Sequence, residues 1–484
     1  MSRQGIHFGT DGWRAVIAQG FTFENVEIVV TAIAQYLTEK KGTDKPVVIG
    51  HDTRFLAKDF AAFAADVLKS HGFSVLLTQG FKPTPAVAHA AMAYDTCGAL
   101  MFTASHNPPE YMGIKFIPEY AGPATKDITD NLVERIRVIE QNPDAIPQGN
   151  GGGNIEFFDP MPKYVEGLAQ VIDFDAIRKH RKKVLYDPMY GTGQSYIHQI
   201  LEDKAGWSID KIHDAHDPFF GGQLPEPKVE CVPELVKRVT DEKYDVGFAN
   251  DGDADRFGVV DERGNFYGTN QMIPLFFWYL YHHKKQRGAV VRTVATSLLL
   301  DKLAEKVGVT VHQTPVGFKH VGELMRNEPI IVGGEESGGV SILNHIPEKD
   351  GVMAIMLTLE MMAVLDKPLS EIYEDLLNDA DIRLHGIYDN LHLSEAQKKD
   401  VMDQMYALKA GEIFAGKPIE SIDSQDGVKI YFGPYEWLLI RPSGTEPILR
   451  MYSESTDPTQ IPKFKEAVEA LKKLEKEPAS CSVP

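Results

Sequence analysis

GALMFTASHNPP, residues 98–109, runs a short apolar segment straight into a polar turn. Gly98–Phe102 has the length and composition of a buried strand. The turn starts at the next residue and carries Ser105 and His106. The same arrangement occurs twice more: DVGFA (245–249) runs into NDGDADR, and PIIV (329–332) runs into GGEESGG.

Working outward from each turn gives a repeating unit. Before the first lie strand patterns at 46–50 and 74–78 and helical patterns at 57–71 and 86–93. The second unit opens with a strand at 183–187 and has helices at 196–203 and 233–240. The third has strands at 289–294 and 309–312 and helices at 297–307 and 320–325. Alternating strands and helices predict right-handed crossovers and largely parallel sheets. Ligands of open α/β sheets bind beyond the carboxyl ends of strands. Three such ends with special loops predict three related α/β domains whose loops face one cleft.

The chain from about Ile382 reads differently. Helices at 394–408 and 461–474 flank strands at 427–432, 437–442 and 448–455, an α+β pattern with antiparallel pairing. It carries the loop RPSGTEP (441–447). The expected domains are 1–150, 155–265 and 266–380, each α/β, and 382–484, α+β. NGGGN (150–154) reads as a connector, 264–268 as a hairpin turn near the second boundary, and 475–484 as a frayed end.

The 484 residues predict three or four domains, at roughly 100–200 residues per domain. A net charge of -19 argues against nucleic-acid and anionic-membrane partners. Cys97, Cys231 and Cys481 form no disulfide framework, and the N-terminus has no apolar signal core. A cytoplasmic protein is expected. The most apolar stretch, 352–365, is interrupted by Glu360 and reads as a buried helix.

Asp251, Asp253 and Asp255 alternate directly after an apolar strand. Carboxylates so close repel unless neutralised, and a hard divalent cation does this with oxygen ligands. An EF-hand is excluded, because Arg256 stands where its turn requires Gly and the flanks are strands. Mg²⁺ beside a phosphate suits the set. Ser105 then fits a phosphoryl-carrying serine, with Lys115 downstream to neutralise it; no G-x-S-x-G elbow supports a hydrolase. Glu335 and Ser337 lie among glycines and suit sugar hydroxyls. Arg441, Ser443, Gly444 and Thr445 offer a guanidinium fork, hydroxyls and turn amides for a phosphate, and Arg450 could add charge. Arg14 in FGTDGWR, and Lys319 and His320 in VGFKH, are weaker candidates.

Together GTDGWR, TASHNPP, DGDADR, GEESGG and RPSGTEP resemble, in order and over nearly the whole chain, the α-D-phosphohexomutase superfamily of phosphoglucomutases and phosphomannomutases. The resemblance implies three related mixed/parallel α/β domains and a C-terminal α+β domain around a central cleft. It implies a phosphoserine at Ser105 and Mg²⁺ on Ser105, Asp251, Asp253 and Asp255. Arg14, His106, Lys115, Arg256 and His320 would lie around the reacting group, with the general base open among His106, Lys115 and His320. Lys319, Glu335 and Ser337, with the Arg441–Thr445 loop and Arg450, would hold the substrate. The partner would be a hexose phosphate, and the activator glucose or mannose 1,6-bisphosphate. One departure is Tyr111-Met112-Gly113, where many relatives read Tyr-Asn-Gly. Glucose is the first-choice sugar from the resemblance alone, with a phosphomannomutase or a dual-specificity phosphoglucomutase/phosphomannomutase as the alternative, since no residue visibly reads C2; GEESGG does not match the Gly-Glu-Gln-Ser loop typical of phosphoglucosamine mutases. The rivals are a sugar-phosphate phosphatase and a non-enzymatic sensor.

Overall fold

The computed structural model describes residues 5–9, 12–142, 146, 151–194, 196–442 and 448–471. Ser443, Gly444, Thr445, the 475–484 end, Asn150 of the expected connector and the Thr10-Asp11 pair lie outside them. The chain divides into two compact units, Met1–Val291 with Gly317–Glu374, and Arg292–Val316 with Asp375–Pro484.

In the first unit, Val47–His51 is a central strand buried along its whole length. It pairs in parallel with Val75–Thr78 and with Gly98–Phe102. The run reads VVIGH because both faces are covered: Val47 and Ile49 share a core with the helices Phe23–Lys41 and Ala57–Ser70, and Val48 shares one with the helix Thr84–Ala93. A second sheet places Val246–Asn250 in parallel beside Val184–Asp187.

The sheets are mixed, as the mixed/parallel α/β domains of the sequence reading require: parallel in their middles and antiparallel at one edge. Each special loop is the turn of a hairpin. Tyr111–Pro118 returns antiparallel to Gly98–Phe102, Phe257–Asp261 to Val246–Asn250, and Val340–Ile342 to Ile330–Gly334. These return strands follow polar turns directly, so their short runs merged with the loops in the sequence. Trp13–Val16 adds a further antiparallel strand against Tyr111–Pro118. At the other edge, Ile155–Phe158 pairs in parallel with Val75–Thr78, so the first sheet extends past the expected connector. The turn expected at 264–268 closes at 262–265, between Phe257–Asp261 and Phe266–Tyr267.

Gly351–Leu365 is the buried helix expected from composition, and Asp350 caps it by accepting from Met353 N. Its single acid, Glu360, is buried and accepts from Tyr279 Oη and Lys284 Nζ, each at 2.7 Å. Among the described residues, no helix is long and apolar enough to cross a membrane. Cys97 and Cys231 are free thiols.

The second unit is built on an antiparallel sheet in the order His385–His392, Ile448–Ser455, Glu436–Pro442, Val428–Gly433, Ser421–Asp423. Alternation gives it two apolar faces. Leu438 and Ile440 point into a core shared with Met405 and Phe464, from the helices Glu395–Ala407 and Gln460–Leu471. Trp437, Leu439 and Tyr452 point the other way, onto Val294, Ala295 and Leu298. Glu454 accepts from Ser297 Oγ at 2.5 Å, Leu298 N at 2.9 Å and Trp437 Nε1 at 3.1 Å. These contacts hold Ser297 and Leu298 against the outer face of this sheet.

Candidate active site

The first hairpin turn holds Ser105 in the left-handed region, at φ 51°, which costs a non-glycine residue of order 1–3 kcal/mol. Arg54 holds it there. This buried guanidinium donates to the main-chain oxygens of Ser105 at 2.6 Å, Asn107 at 2.7 Å, Pro108 at 2.7 Å and Tyr111 at 3.2 Å. Asp52 anchors Arg54 at 3.1 Å with both side chains buried. Arg14 donates to Asn107 Oδ1 at 2.7 Å from the strand beside this hairpin.

The second hairpin turn faces the first. Ser105 Oγ donates to Asp251 Oδ2 at 2.8 Å. Gly252 permits the approach, since a Cβ there would stand 2.6 Å from Ser105 O. Asp251, Asp253 and Asp255 are all buried, with one carboxylate oxygen from each within 4.8 Å of the others. Lys115 Nζ donates to Asp253 Oδ2 at 2.7 Å and Asp255 Oδ2 at 2.9 Å. Thr84 donates to Asp253 Oδ2 at 2.5 Å. The Oδ1 atoms of Asp253 and Asp255 are buried and have no hydrogen-bond partner among the described residues. Acceptor-only oxygens left so fit a hard divalent cation.

Electrostatics follow from this crowding. Burial, then Asp253 and Asp255, raise Asp251 well above the usual carboxylate range. Burial would raise Asp255 too, but Lys115, Lys349 and Arg256 outweigh it and hold its pKa down. Burial alone would lower Lys115, yet Asp253 and Asp255 keep it raised, so it is a fixed cation at neutral pH. His106 is pushed well below its ordinary value by burial, then by Arg256 and Arg14. It is therefore neutral, with Nδ1 3.4 Å from Ser105 Oγ.

A cavity beside Ser105 is also lined by Arg14, Lys115, Asp255, Arg256, Glu335, Glu348 and Lys349. The structure thus brings together most of the expected reacting-group residues and Glu335 of the third hairpin turn. Ser337 stands on that turn, and Lys319 and His320 on the first turn of the helix Phe318–Asn327. None of these three lines the cavity.

In the second unit, Arg441 donates to Asp426 Oδ1 at 2.8 Å and pairs across the sheet with Arg450. Like charges directly opposite are unfavourable unless an anion or carboxylate offsets them.

Four contributors escaped sequence reading. Arg54 and Asp52 lie in HDTR, just after the strand Val47–His51. A charged pair at a strand end was the available signal. Glu348 and Lys349 precede the most apolar helix of the chain, where PEKD is an abrupt change of polarity.

The chain matches the phosphoglucomutase/phosphomannomutase alpha/beta/alpha domain I over 5–143, domain II over 162–264, domain III over 268–380, and the C-terminal domain over 390–471. It is 31% identical to a phosphoglucomutase/phosphomannomutase of Thermococcus kodakarensis, covering 93% of this chain and 94% of that one. It is 29% identical to a phosphoglucosamine/phosphogalactosamine mutase of Sulfurisphaera tokodaii, covering 93% and 95%. A crystal structure from Thermus thermophilus, described as a "putative phosphomannomutase", matches with a TM-score of 0.84 at 31% identity, covering 97% and 99%.

Proposed function

The chain belongs to the phosphoglucomutase/phosphomannomutase family of phosphohexomutases, which are enzymes, and from that premise we propose that it interconverts glucose 1-phosphate and glucose 6-phosphate through a phosphoserine at Ser105. The observation that carries this reading is the 2.8 Å contact of Ser105 Oγ with Asp251, in a cavity shared with Lys115, Arg256 and Glu335.

The free hydroxyl of a bound hexose 1-phosphate attacks the phosphorus on Ser105. The new sugar O–P bond forms as the Oγ–P bond breaks, giving a 1,6-bisphosphate. The bisphosphate turns round, and its other phosphoryl group returns to Ser105. When held by Asp251, Asp253, Asp255 and the Ser105 phosphoryl group, Mg²⁺ supplies neutralisation of the phosphoryl oxygens. Lys115, held protonated by its two aspartates, and Arg256 add fixed positive charge. Lys115 is thereby a poor base. His106, neutral and with Nδ1 3.4 Å from Ser105 Oγ, is the better acceptor for the sugar hydroxyl's proton. Glu335 and Ser337 suit the sugar hydroxyls, and Arg441 and Arg450 the non-reacting phosphate. Glucose is preferred to an amino sugar because Glu336 stands where phosphoglucosamine mutases carry Gln.

The test follows conversion of glucose 1-phosphate, mannose 1-phosphate and glucosamine 1-phosphate with Mg²⁺ and trace glucose 1,6-bisphosphate, with Ser105→Ala as control. Turnover of glucose 1-phosphate that vanishes in the control supports the reading. Faster turnover of either other sugar replaces glucose as the substrate. Release of inorganic phosphate instead makes the protein a phosphatase.

A further inference from the structure

Asp426 and Arg441 both belong to the second unit. Asp426 stands in the turn just before the strand Val428–Gly433, and Arg441 is the penultimate residue of its partner strand Glu436–Pro442. Asp426 Oδ1 accepts from Arg441 Nε at 2.8 Å. Its Oδ2 accepts from the main-chain N–H of Val316 at 2.9 Å. The carboxylate is therefore held at both oxygens, and one of its anchors is backbone. Gly427 lets this turn lie so close to Arg441. Its φ is 87°, and a Cβ there would stand 2.4 Å from Ile440 O and 3.0 Å from Arg441 Cα.

Stability does not explain the pair. The Arg441 and Asp426 side chains are 20% and 21% exposed, and ion pairs so open to water add little to folding. Orientation does explain it. A guanidinium is planar, and with Nε engaged its two terminal nitrogens form a separate edge of parallel donors. That edge matches two oxygens of one phosphate. Held through a terminal nitrogen instead, Arg441 would lose that fork. Arg450 stands directly opposite Arg441 in the sheet, and cations so placed repel. A fixed carboxylate on Nε keeps Arg441 in place against that repulsion.

We propose that Asp426 is a positioning residue for the substrate's non-reacting phosphate, turning Arg441 so that its Nη1–Nη2 edge meets the anion. The proposal rests on the reading of Arg441 as part of the phosphate seat. Asp426 touches no substrate and acts only through Arg441.

The probe is glucose 6-phosphate, titrated by calorimetry into the full chain carrying Ser105→Ala, so that no phosphoryl group moves. Asp426→Asn is nearly isosteric and lies at a partly exposed position, so it folds; it should weaken binding at least five-fold. With Arg441→Ala already present, the same change should weaken binding less than two-fold. A general loosening of the fold would cost the same in both backgrounds. Unchanged or tighter binding in Asp426→Asn, or an equal loss with and without Arg441, would overturn the proposal and leave the phosphate seat standing. Full binding in Arg441→Ala, or none in the Ser105→Ala parent, would overturn the seat itself and the proposal with it.

Discussion

Arg54 donates to the main-chain oxygen of Ser105 at 2.6 Å, and to three further carbonyl oxygens of the same turn. One guanidinium thus fixes the backbone of a turn whose serine is in the left-handed region. A lysine at this position offers three donors on a point charge and cannot reproduce the planar fork. Arg54→Lys is expected to lower kcat by about 10²-fold, the scale of a 1 Å misplacement of a reacting group. KM should change little, because Arg54 is not among the residues lining the cavity. Steady-state kinetics beside circular dichroism checks this; unchanged kcat in a folded variant would show that the turn holds itself.

Arg54→Met removes the partner of buried Asp52 as well. Breaking a buried pair on one side costs about 3–5 kcal/mol. Urea unfolding should therefore rank Arg54→Met well below Arg54→Lys in stability, and equal midpoints would contradict the pairing argument.

Gly252→Ala tests how closely the first two hairpin turns approach. Its Cβ would stand 2.6 Å from Ser105 O, a main-chain atom that cannot swing aside. Turnover and Ser105 phosphorylation, followed by intact mass, should both fall steeply while secondary structure persists. A fully active variant would mean the turns separate without loss.

Mg²⁺ should stabilise the protein, because Asp251, Asp253 and Asp255 converge on one site only in the folded state, which alone binds the ion. At 100 times its Kd the gain is about 2.7 kcal/mol. Thermal melts with Mg²⁺ and with EDTA measure it. Asp253→Asn should abolish most of the difference, and a melt indifferent to Mg²⁺ in the unaltered protein would remove the metal from the site.

His89 sets part of the acid limit. Burial, then His345, lowers its pKa to about 4 from 6.5, and its Nδ1 is buried without a hydrogen-bond partner among the described residues. Between pH 6.5 and 4 the unfolded chain binds a proton that the folded chain does not, so stability falls as pH falls through this window. The loss is about 3 kcal/mol in all, at about 1.4 kcal/mol per unit. His89→Leu should flatten that slope in melts at stepped pH, whatever its effect at pH 7. An unchanged slope would place the acid sensitivity elsewhere.

Much of the chemistry was legible because it is local. The Asp251, Asp253 and Asp255 alternation is a property of five consecutive residues, and a strand running into a polar turn needs no partner to be recognised. The repeating strand–helix pattern was likewise carried by periodicity within each element. The hairpin returns were not legible, since YMGIKFIP becomes a strand only by pairing with Gly98–Phe102. Nor was the packing of Val294, Ala295 and Leu298, which depends on Trp437 and Tyr452 more than a hundred residues away.

By itself the sequence determined the strand–helix repeat, the four loops that carry reactive groups and the family to which they belong. The tertiary structure alone decided that Arg54 fixes the Ser105 turn, that Lys115 takes one oxygen each from Asp253 and Asp255, and that Glu348 and Lys349 reach the cavity. The reason is physical. A loop's composition states which groups are available, but a hydrogen bond or a pKa depends on distance and burial, and those are set by segments far apart in the chain.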